Sequence, residues 1–105
     1  MTQFDVYRNM DPTSRTNYPL LLDVQSDLLS ELNTRAVVPL CPASAMKGRL
    51  LGNLIPVLVI EGKPFAMLTP QLAGIATRKL DAKAGQLDDH RQAIIAALDF
   101  LIAGI

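Results

Sequence analysis

The sequence has one cysteine, one histidine and no tryptophan, and aromatic residues make up only 5% of its 105 residues. A single cysteine, Cys41, cannot form an internal disulfide, which is typical of a reducing compartment. Cys41 lies in an apolar run, where the pKa of a thiol rises, so we predict a structural role for it. The few aromatic side chains are needed for a core, which leaves little for stacking nucleic-acid bases.

Neither sign of charge is in excess, since ten basic residues balance ten acidic ones. Proteins that bind phosphate backbones directly usually carry a basic stripe, so the composition argues against direct contact with DNA. The longest apolar run, residues 93–105, contains Asp99 and is shorter than the roughly 20 residues of a membrane-spanning helix. The first residues show no basic and apolar signal pattern either. We therefore expect a cytoplasmic protein that does not enter a membrane.

Patterns for catalysis and for metal binding are missing as well. His90 lies among charged residues at the start of a predicted helix, which indicates a solvated surface position. Its spacing from Cys41 matches no set of metal ligands. No glycine pattern precedes a Lys-Ser or Lys-Thr pair, which excludes the usual phosphate-binding loop. We expect no metal, no cofactor and no enzymatic activity.

Half of the residues are apolar, enough for the core of one domain comprising residues 1–105. Alternation or β-rich runs predict strands at residues 4–6, 20–24, 36–40, 56–60 and 64–68, with a weaker strand at 74–77. In the first strand the alternation places Asp5 opposite the core face. Gly62 predicts a hairpin, and Pro39 predicts an edge or a bulge because proline lacks a ladder N–H. Residues 81–86 are predicted to be polar and exposed.

Two segments have helical signals. Ser26 or Asp27 can cap a short turn within residues 26–32. The clearest helix follows Asp88 or Asp89 as its cap and ends near Gly104. The apolar stripe that we expect to pack on the sheet consists of Ile94, Ile95, Leu98, Leu101 and Ile102.

The order of these elements, strands first and a helix last, predicts an α+β or mainly-β domain. Its small antiparallel sheet or barrel is covered on one side by the helix. Phe100 lies off the apolar stripe, beside Ala93 and Ala97. It forms either a second contact face or part of a wider buried face.

Several segments together resemble the CcdB toxins of toxin–antitoxin modules. The sharpest is residues 22–27, Leu-Asp-Val-Gln-Ser-Asp, and the sequence closes on Gly104 and Ile105. The other matching segments, in the same order along the chain, are residues 3–7, 38–40, 55–57, 67–69 and 90–91. The resemblance implies an SH3-like small barrel of antiparallel strands with a C-terminal α-helix, and a symmetric homodimer.

The resemblance also implies a function. It indicates a toxin of a type II toxin–antitoxin system that binds the DNA gyrase A subunit and inhibits or poisons the topoisomerase. A CcdA-like antitoxin would neutralise it, and their complex would repress its own operon, with DNA contacted only through the antitoxin. The residues implied to bind gyrase are Ser26, Leu28, Leu29, Asp99, Ile102, Ala103, Gly104 and Ile105. Ser26 is equally suited to cap the turn that it begins.

Ala103 departs from the family pattern, because a well-known plasmid member has tryptophan before the closing Gly-Ile. Truncating a hot-spot tryptophan to alanine commonly removes about 2 kcal/mol or more of binding free energy. A family member with weak or lost gyrase binding is therefore one alternative. A MazF/Kid-like endoribonuclease is another, since it is similar in fold but cuts RNA with its side chains. The missing acid–base set and the closing residues favour gyrase inhibition over RNA cleavage.

Overall fold

A computed structural model describes residues 2–47, 52–80 and 82–104. Within these ranges seven β-strands precede one α-helix. The strands are β1 (Asp5–Arg8), β2 (Leu20–Asp23), β3 (Thr34–Pro42), β4 (Val57–Ile60), β5 (Lys63–Met67), β6 (Ala73–Ala76) and β7 (Lys83–Gln86). The helix α1 spans Arg91–Ala103. No helix in the described ranges is both long and apolar enough to cross a lipid bilayer.

The strands form one antiparallel sheet in the order β4-β5-β3-β2-β1-β7, with β6 also paired to β3. The nine-residue β3 pairs with β2 along one side and with β6 and then β5 along the other. A Cβ atom on Gly85 of β7 would lie 3.6 Å from Cγ2 of Ile60 in β4. The two ends of the strand order therefore approach each other. This curled half-barrel with a helix last confirms the predicted fold class.

Pro39 lies inside the sheet, so the prediction of an edge position is wrong. It pairs with Leu21 of β2. On its other side, residues 34–37 pair with β6 and residues 40–42 pair with β5. The missing N–H of the proline thus coincides with the change of partner strand, where the ladder is interrupted anyway.

The hairpin predicted at Gly62 is confirmed. Glu61 and Gly62 link β4 to β5 with positive φ angles of 52° and 78°, as a two-residue type I′ turn requires. In such a hairpin the residues next to the turn exchange hydrogen bonds and the following pair does not. That following pair is Val59 and Pro64, so proline is accommodated there without the loss of a ladder bond.

The main core lies between one face of the sheet and α1. Its fully buried side chains include Phe4, Val6, Leu22, Val38, Leu40, Leu58, Met67 and Ile94. Ile94 and Ala97 are the buried residues of α1, and Leu98 packs partly against the same core. The predicted stripe is wrong for Ile102, which is 78% exposed. At about 100° per residue, Ile102 lies roughly 140° around the helix from Ala97, away from the sheet.

Two further predictions about the last third of the chain, one incomplete and one wrong, need correction. The segment predicted to be polar and exposed does expose Lys83 and Gln86, but it also forms β7, which pairs with β1 and has a half-buried Ala84. Its residues lack apolar alternation, so backbone pairing rather than side-chain burial defines this strand. The helix α1 begins only at Arg91, after one turn of 3₁₀ helix at Asp88–His90. The two aspartates lie in that preceding turn and do not cap α1.

Asp5 is buried although the alternation predicts an outward position. The face that it shares with Tyr7 is covered by a second apolar cluster, which includes Leu80, so both faces of β1 are shielded from water. Asp5 accepts a hydrogen bond from the N–H of Thr2 at 3.0 Å and forms a 3.1 Å ion pair with Lys83. Burial alone would raise the pKa of Asp5, but these contacts outweigh it and lower that pKa.

Candidate functional site

The segment of sharpest resemblance forms the end of β2 and the start of a tight turn. Asp27–Leu29 is one turn of 3₁₀ helix. The N–H of Leu28 donates a hydrogen bond to Oγ of Ser26 at 3.2 Å, so the predicted capping role of Ser26 is confirmed. The N–H of Leu29 donates to the carbonyl of Ser26 at 3.0 Å. Residues 26–29 are hereafter termed the 26–29 turn.

The 26–29 turn presents apolar side chains to solvent. Leu28 is 94% exposed, and Leu29 is 49% exposed. A single exposed leucine is ordinary, but the side chain of Leu28 packs against almost nothing in its own chain. Covering such a side chain with another surface contributes about 1.5–3 kcal/mol. Burial of Leu28 therefore contributes little to folding, and this free energy would be gained only when a partner covers the side chain.

A buried ion pair lies directly beneath the turn. Asp23 is fully buried, and its Oδ2 accepts a hydrogen bond from Nε of Arg35 at 2.8 Å and lies 2.6 Å from Nη2. Oδ1 of Asp23 accepts a hydrogen bond from the backbone N–H of Gln25 at 3.0 Å. Burial raises the pKa of Asp23, while the hydrogen bonds from Arg35 and Gln25 oppose that rise. Breaking such a pair would leave an uncompensated buried charge, so both partners are needed together.

The side chain of Gln25 and the backbone of Gln3 tie the turn to its neighbours. Gln25 donates from Nε2 to the carbonyl of Leu29 at 3.0 Å and accepts the N–H of Ala36 at 3.1 Å. The backbone N–H of Gln3 donates to Oδ1 of Asp27 at 2.8 Å. The turn is therefore held from β3 on one side and from the N-terminal segment on the other.

The end of α1 carries the second group of predicted site residues. The helix stops at Gly104, whose φ of 74° lies in the left-handed region and whose N–H donates to the carbonyl of Phe100 at 2.9 Å. Asp99, Ile102 and Ala103 are exposed there. Because Ala103 faces solvent, the absence of a large side chain at this position opens no hole in the core. The last predicted residue, Ile105, lies outside the described residues.

The contacts of the turn lead to the start of α1 and not to its end. Oε1 of Gln3 accepts a hydrogen bond from Nη1 of Arg91 at 3.3 Å, and the N–H of Gln3 binds Asp27. Arg91 is the first residue of α1 and lies over the ring of Phe4, 5.4 Å from its centroid. Ile102 lies roughly 16 Å further along the helix axis at 1.5 Å per residue. The turn is thus linked to the start of α1, and the other exposed site residues lie at its far end.

Apart from Cys41, the buried titratable side chains that the structure describes pair with one another inside the fold, Tyr7 with Asp5 and Arg35 with Asp23. No group of three or more His, Cys, Asp and Glu residues within the described part of the chain could hold a metal ion. His90 is half-buried and its Nδ1 is shielded from water, so the prediction of a solvated histidine is wrong. Cys41 is buried, and burial raises the pKa of its thiol, as expected for a structural cysteine.

A family model described as CcdB protein matches residues 3–104 of the chain. The matched range contains the 26–29 turn, the buried ion pair beneath it and all of α1. Members of this family poison DNA gyrase and are not enzymes, and their partners are gyrase and an antitoxin. This chain therefore belongs to the CcdB family, as a gyrase-poisoning toxin of a type II toxin–antitoxin system.

Proposed function

We propose that the toxin binds the gyrase A subunit through a surface in two parts, the 26–29 turn and the end of α1. The residues of this docking surface are Ser26, Leu28, Leu29, Asp99, Ile102, Ala103, Gly104 and Ile105. The observation that carries the proposal is the exposure of large apolar side chains in both parts, 94% for Leu28 and 78% for Ile102. Adjacent exposed apolar side chains, as at Leu28 and Leu29, form the kind of patch that another protein commonly covers.

A homodimer would unite the two parts of the docking surface. In one protomer they are separated along α1, so a single copy offers two small apolar patches. A two-fold axis repeats every patch, and the family resemblance implies that the two chain ends lie together on one face. We therefore propose a symmetric dimer that presents the C-terminal ends of its two α1 helices to gyrase at once.

The docking surface lacks a large aromatic anchor at Ala103. Interface hot spots are enriched in tryptophan, tyrosine and arginine, so alanine at this position removes one strong source of affinity. The exposed side chains of Leu28, Leu29 and Ile102 supply the remaining apolar area. We expect a gyrase complex that is weaker than one anchored by tryptophan at the same position.

The second proposed partner is a CcdA-like antitoxin. Its disordered tail would fold onto the toxin, remove it from gyrase and supply the DNA contacts of a self-repressing complex. The balance of ten basic and ten acidic residues in the toxin is consistent with leaving DNA to the antitoxin. Because gyrase acts on bacterial DNA, we place the toxin in the cytoplasm.

Charged substitutions on the docking surface provide the direct test. In a gyrase cleavage assay with purified protein, Leu28→Asp and Ile102→Asp should each require at least about tenfold more toxin, because a carboxylate would be desolvated in the interface. The matched control is Met10→Asp in the polar loop, where the methionine is 54% exposed. It should behave like the unaltered protein. Full activity of both docking-surface variants would contradict the proposed surface.

Expression in two bacterial backgrounds tests the target itself. The toxin should arrest growth in cells with ordinary gyrase and leave growth unchanged in cells whose gyrase is altered to resist CcdB. Equal arrest in both would point to another target. An RNA-degradation assay on the purified protein then examines the endoribonuclease alternative.

A further inference from the structure

We infer that Gln25 is a positioning residue, which holds the 26–29 turn in the shape that gyrase binds while making no contact with gyrase itself. The inference rests on the docking surface proposed above. Gln25 is only 8% exposed, although glutamine is usually a surface residue. Its burial beside an exposed apolar turn is therefore a specific arrangement that needs an explanation.

Both ends of the Gln25 amide are occupied. Nε2 donates to the carbonyl of Leu29, the last residue of the 3₁₀ turn, and Oε1 accepts the N–H of Ala36 in β3. Carbonyls at the end of a helical turn have no partner within the turn. Beyond the turn, the N–H of Leu32 also donates to the carbonyl of Leu29, at 3.2 Å. The side-chain amide of Gln25 therefore bridges the end of the turn, at Leu29, to the sheet, at Ala36 of β3.

The same side chain extends the pairing of β2 with β3. The backbone ladder runs to Asp23 opposite Val37, and the N–H of Val24 still reaches the carbonyl of Ala36 at 3.0 Å. The N–H of Ala36 is then taken by Oε1 of Gln25 at 3.1 Å. A side-chain amide thus replaces the next backbone partner, at the point where the chain leaves β2 to form the turn.

The backbone of Gln25 is itself fixed from below. Its N–H donates to Oδ1 of Asp23, and Oδ2 of Asp23 is held by Arg35, which is 1% exposed. Three buried polar side chains therefore share one network in which the carboxylate sets the position of Gln25. The network reaches the turn only through the bond from Gln25 to Leu29.

The turn has little support of its own. It contains two backbone hydrogen bonds, from Leu29 to Ser26 and from Ser30 to Asp27, and Leu28 packs on almost nothing. Short helical turns are marginal without tertiary contacts. The N–H of Gln3 would still hold Asp27, but without the Gln25 bridge the Leu29 end of the turn would occupy several conformations. A partner would then have to order that end on binding. Gln25 would then change gyrase affinity from inside the protein.

The test compares Gln25→Leu, which removes both bonds, with Gln25→Glu, which keeps only the acceptor for Ala36. Gln25→Leu should weaken binding to the purified gyrase A subunit by about tenfold and speed hydrogen exchange at the amides of Leu29 and Ser30 by a similar factor. Gln25→Glu should also release Leu29, because its buried carboxylate would face the carbonyl oxygen of Leu29. Ile60→Ala, in β4 at the far end of the strand order, is the control. When the variants are compared at an equal loss of Tm, Ile60→Ala should leave both gyrase binding and hydrogen exchange in the turn unchanged.

Two outcomes would overturn the inference: a folded Gln25→Leu that binds gyrase as tightly as the unaltered toxin, or a loss of binding no larger than that of Ile60→Ala. If Gln25→Leu does not fold, the same comparison is made with Gln25→Glu. Leu28→Asp separates this inference from the proposed docking surface. Normal gyrase binding by Leu28→Asp would remove the turn from the interface. Weakened binding by Leu28→Asp together with normal binding by Gln25→Leu would exclude only the positioning role.

Discussion

Tyr7 lies in β1 with its side chain 4% exposed and its hydroxyl 3.4 Å from Oδ2 of Asp5. Burial, and then the negative charges of Asp5 and Asp23, raise the pKa of Tyr7 to about 12. The folded protein therefore binds the phenol proton more tightly than the unfolded chain does. The stability that this contributes is fully present below about pH 10, the ordinary tyrosine pKa, and is lost as the pH rises through about 12.

This gives a prediction for alkaline unfolding. Between about pH 8 and pH 11.5 the unaltered protein should lose about 2 kcal/mol more free energy of unfolding than Tyr7→Phe, whose ring cannot ionise. Urea unfolding at the two pH values measures the difference. Tyr18→Phe, which removes the other tyrosine, is the control for general effects of losing a phenol. An equal alkaline loss in Tyr7→Phe and the unaltered protein would contradict the pKa of Tyr7.

At the scale of single residues, the sequence does not reveal which charged side chains pair with each other. Asp23 ends a buried run, but nothing along the chain identifies Arg35 as its partner. The sheet register places Asp23 opposite Val37, and Arg35 lies two residues further along the same face of β3. The one sequence signal for a role of Arg35 in the sheet is that it directly precedes a β-rich run. Burial of both charges follows from the cluster that covers this face, which the sequence does not reveal.

At the scale of elements, α1 has a buried middle and an exposed last turn. Its middle packs on the sheet through Ile94 and Ala97, while its last turn leaves Ile102 exposed. Gly104 ends the helix in the left-handed region, and among the described residues none beyond its chain neighbours has an atom within 4 Å of the place where a Cβ would stand. Within the toxin itself, a substitution at Gly104 therefore acts through backbone conformation and not through a steric clash.

Gly104→Ala should consequently shift the end of α1 without disturbing the core. An L-residue in the left-handed region costs about 1–2 kcal/mol, which is enough to favour other conformations of the last residues. We expect a small loss in Tm and a clear loss of gyrase affinity. Gly104→Asn should be milder, because asparagine tolerates this region. The sharper control is D-alanine at the same position by semisynthesis, which should retain the affinity of glycine. Equal binding by L-alanine and D-alanine variants would rule out the backbone explanation.

The elements themselves were predictable to different degrees. The β4–β5 hairpin follows from two β-rich runs around Gly62, and α1 follows from its apolar spacing. In contrast, β7 has no apolar alternation and is defined only by its pairing with β1. The rotation of α1 on the sheet was also open, since Ala97 and not Ile102 completes the buried face. Periodicity identifies a helix, but the contacts of the fold select which side is covered.

At the scale of the whole molecule, the two parts of the proposed docking surface are associated with opposite ends of α1. The turn is tied to the start of α1, and the remaining site residues lie at the other end of that helix. Exposed apolar side chains also occur beside the end of α1, including Phe100 at 36%. A second protomer is the simplest way to cover part of this apolar area and to double the docking surface.

Sedimentation equilibrium tests this arrangement. At micromolar concentration the toxin should show twice the 11.4 kDa mass of one chain. Phe100→Glu should move the equilibrium toward the single-chain mass, because a carboxylate would be buried where apolar contact is expected. Met10→Glu, in the exposed loop, should leave the dimer intact. A single-chain mass for the unaltered protein at all concentrations would remove the dimer from the proposal.

The sequence by itself determined the class of this protein: a mainly-β chain with a final helix and with segments typical of CcdB toxins in the same order along the chain. These properties depend on local periodicity, turn residues and composition, which neighbouring residues encode. Only the tertiary structure decided that Arg35 neutralises Asp23, that Gln25 braces the 26–29 turn, and that Ile102 faces away from the core. Such relations join residues distant in the chain, and strand register and helix rotation are fixed only when the whole core packs.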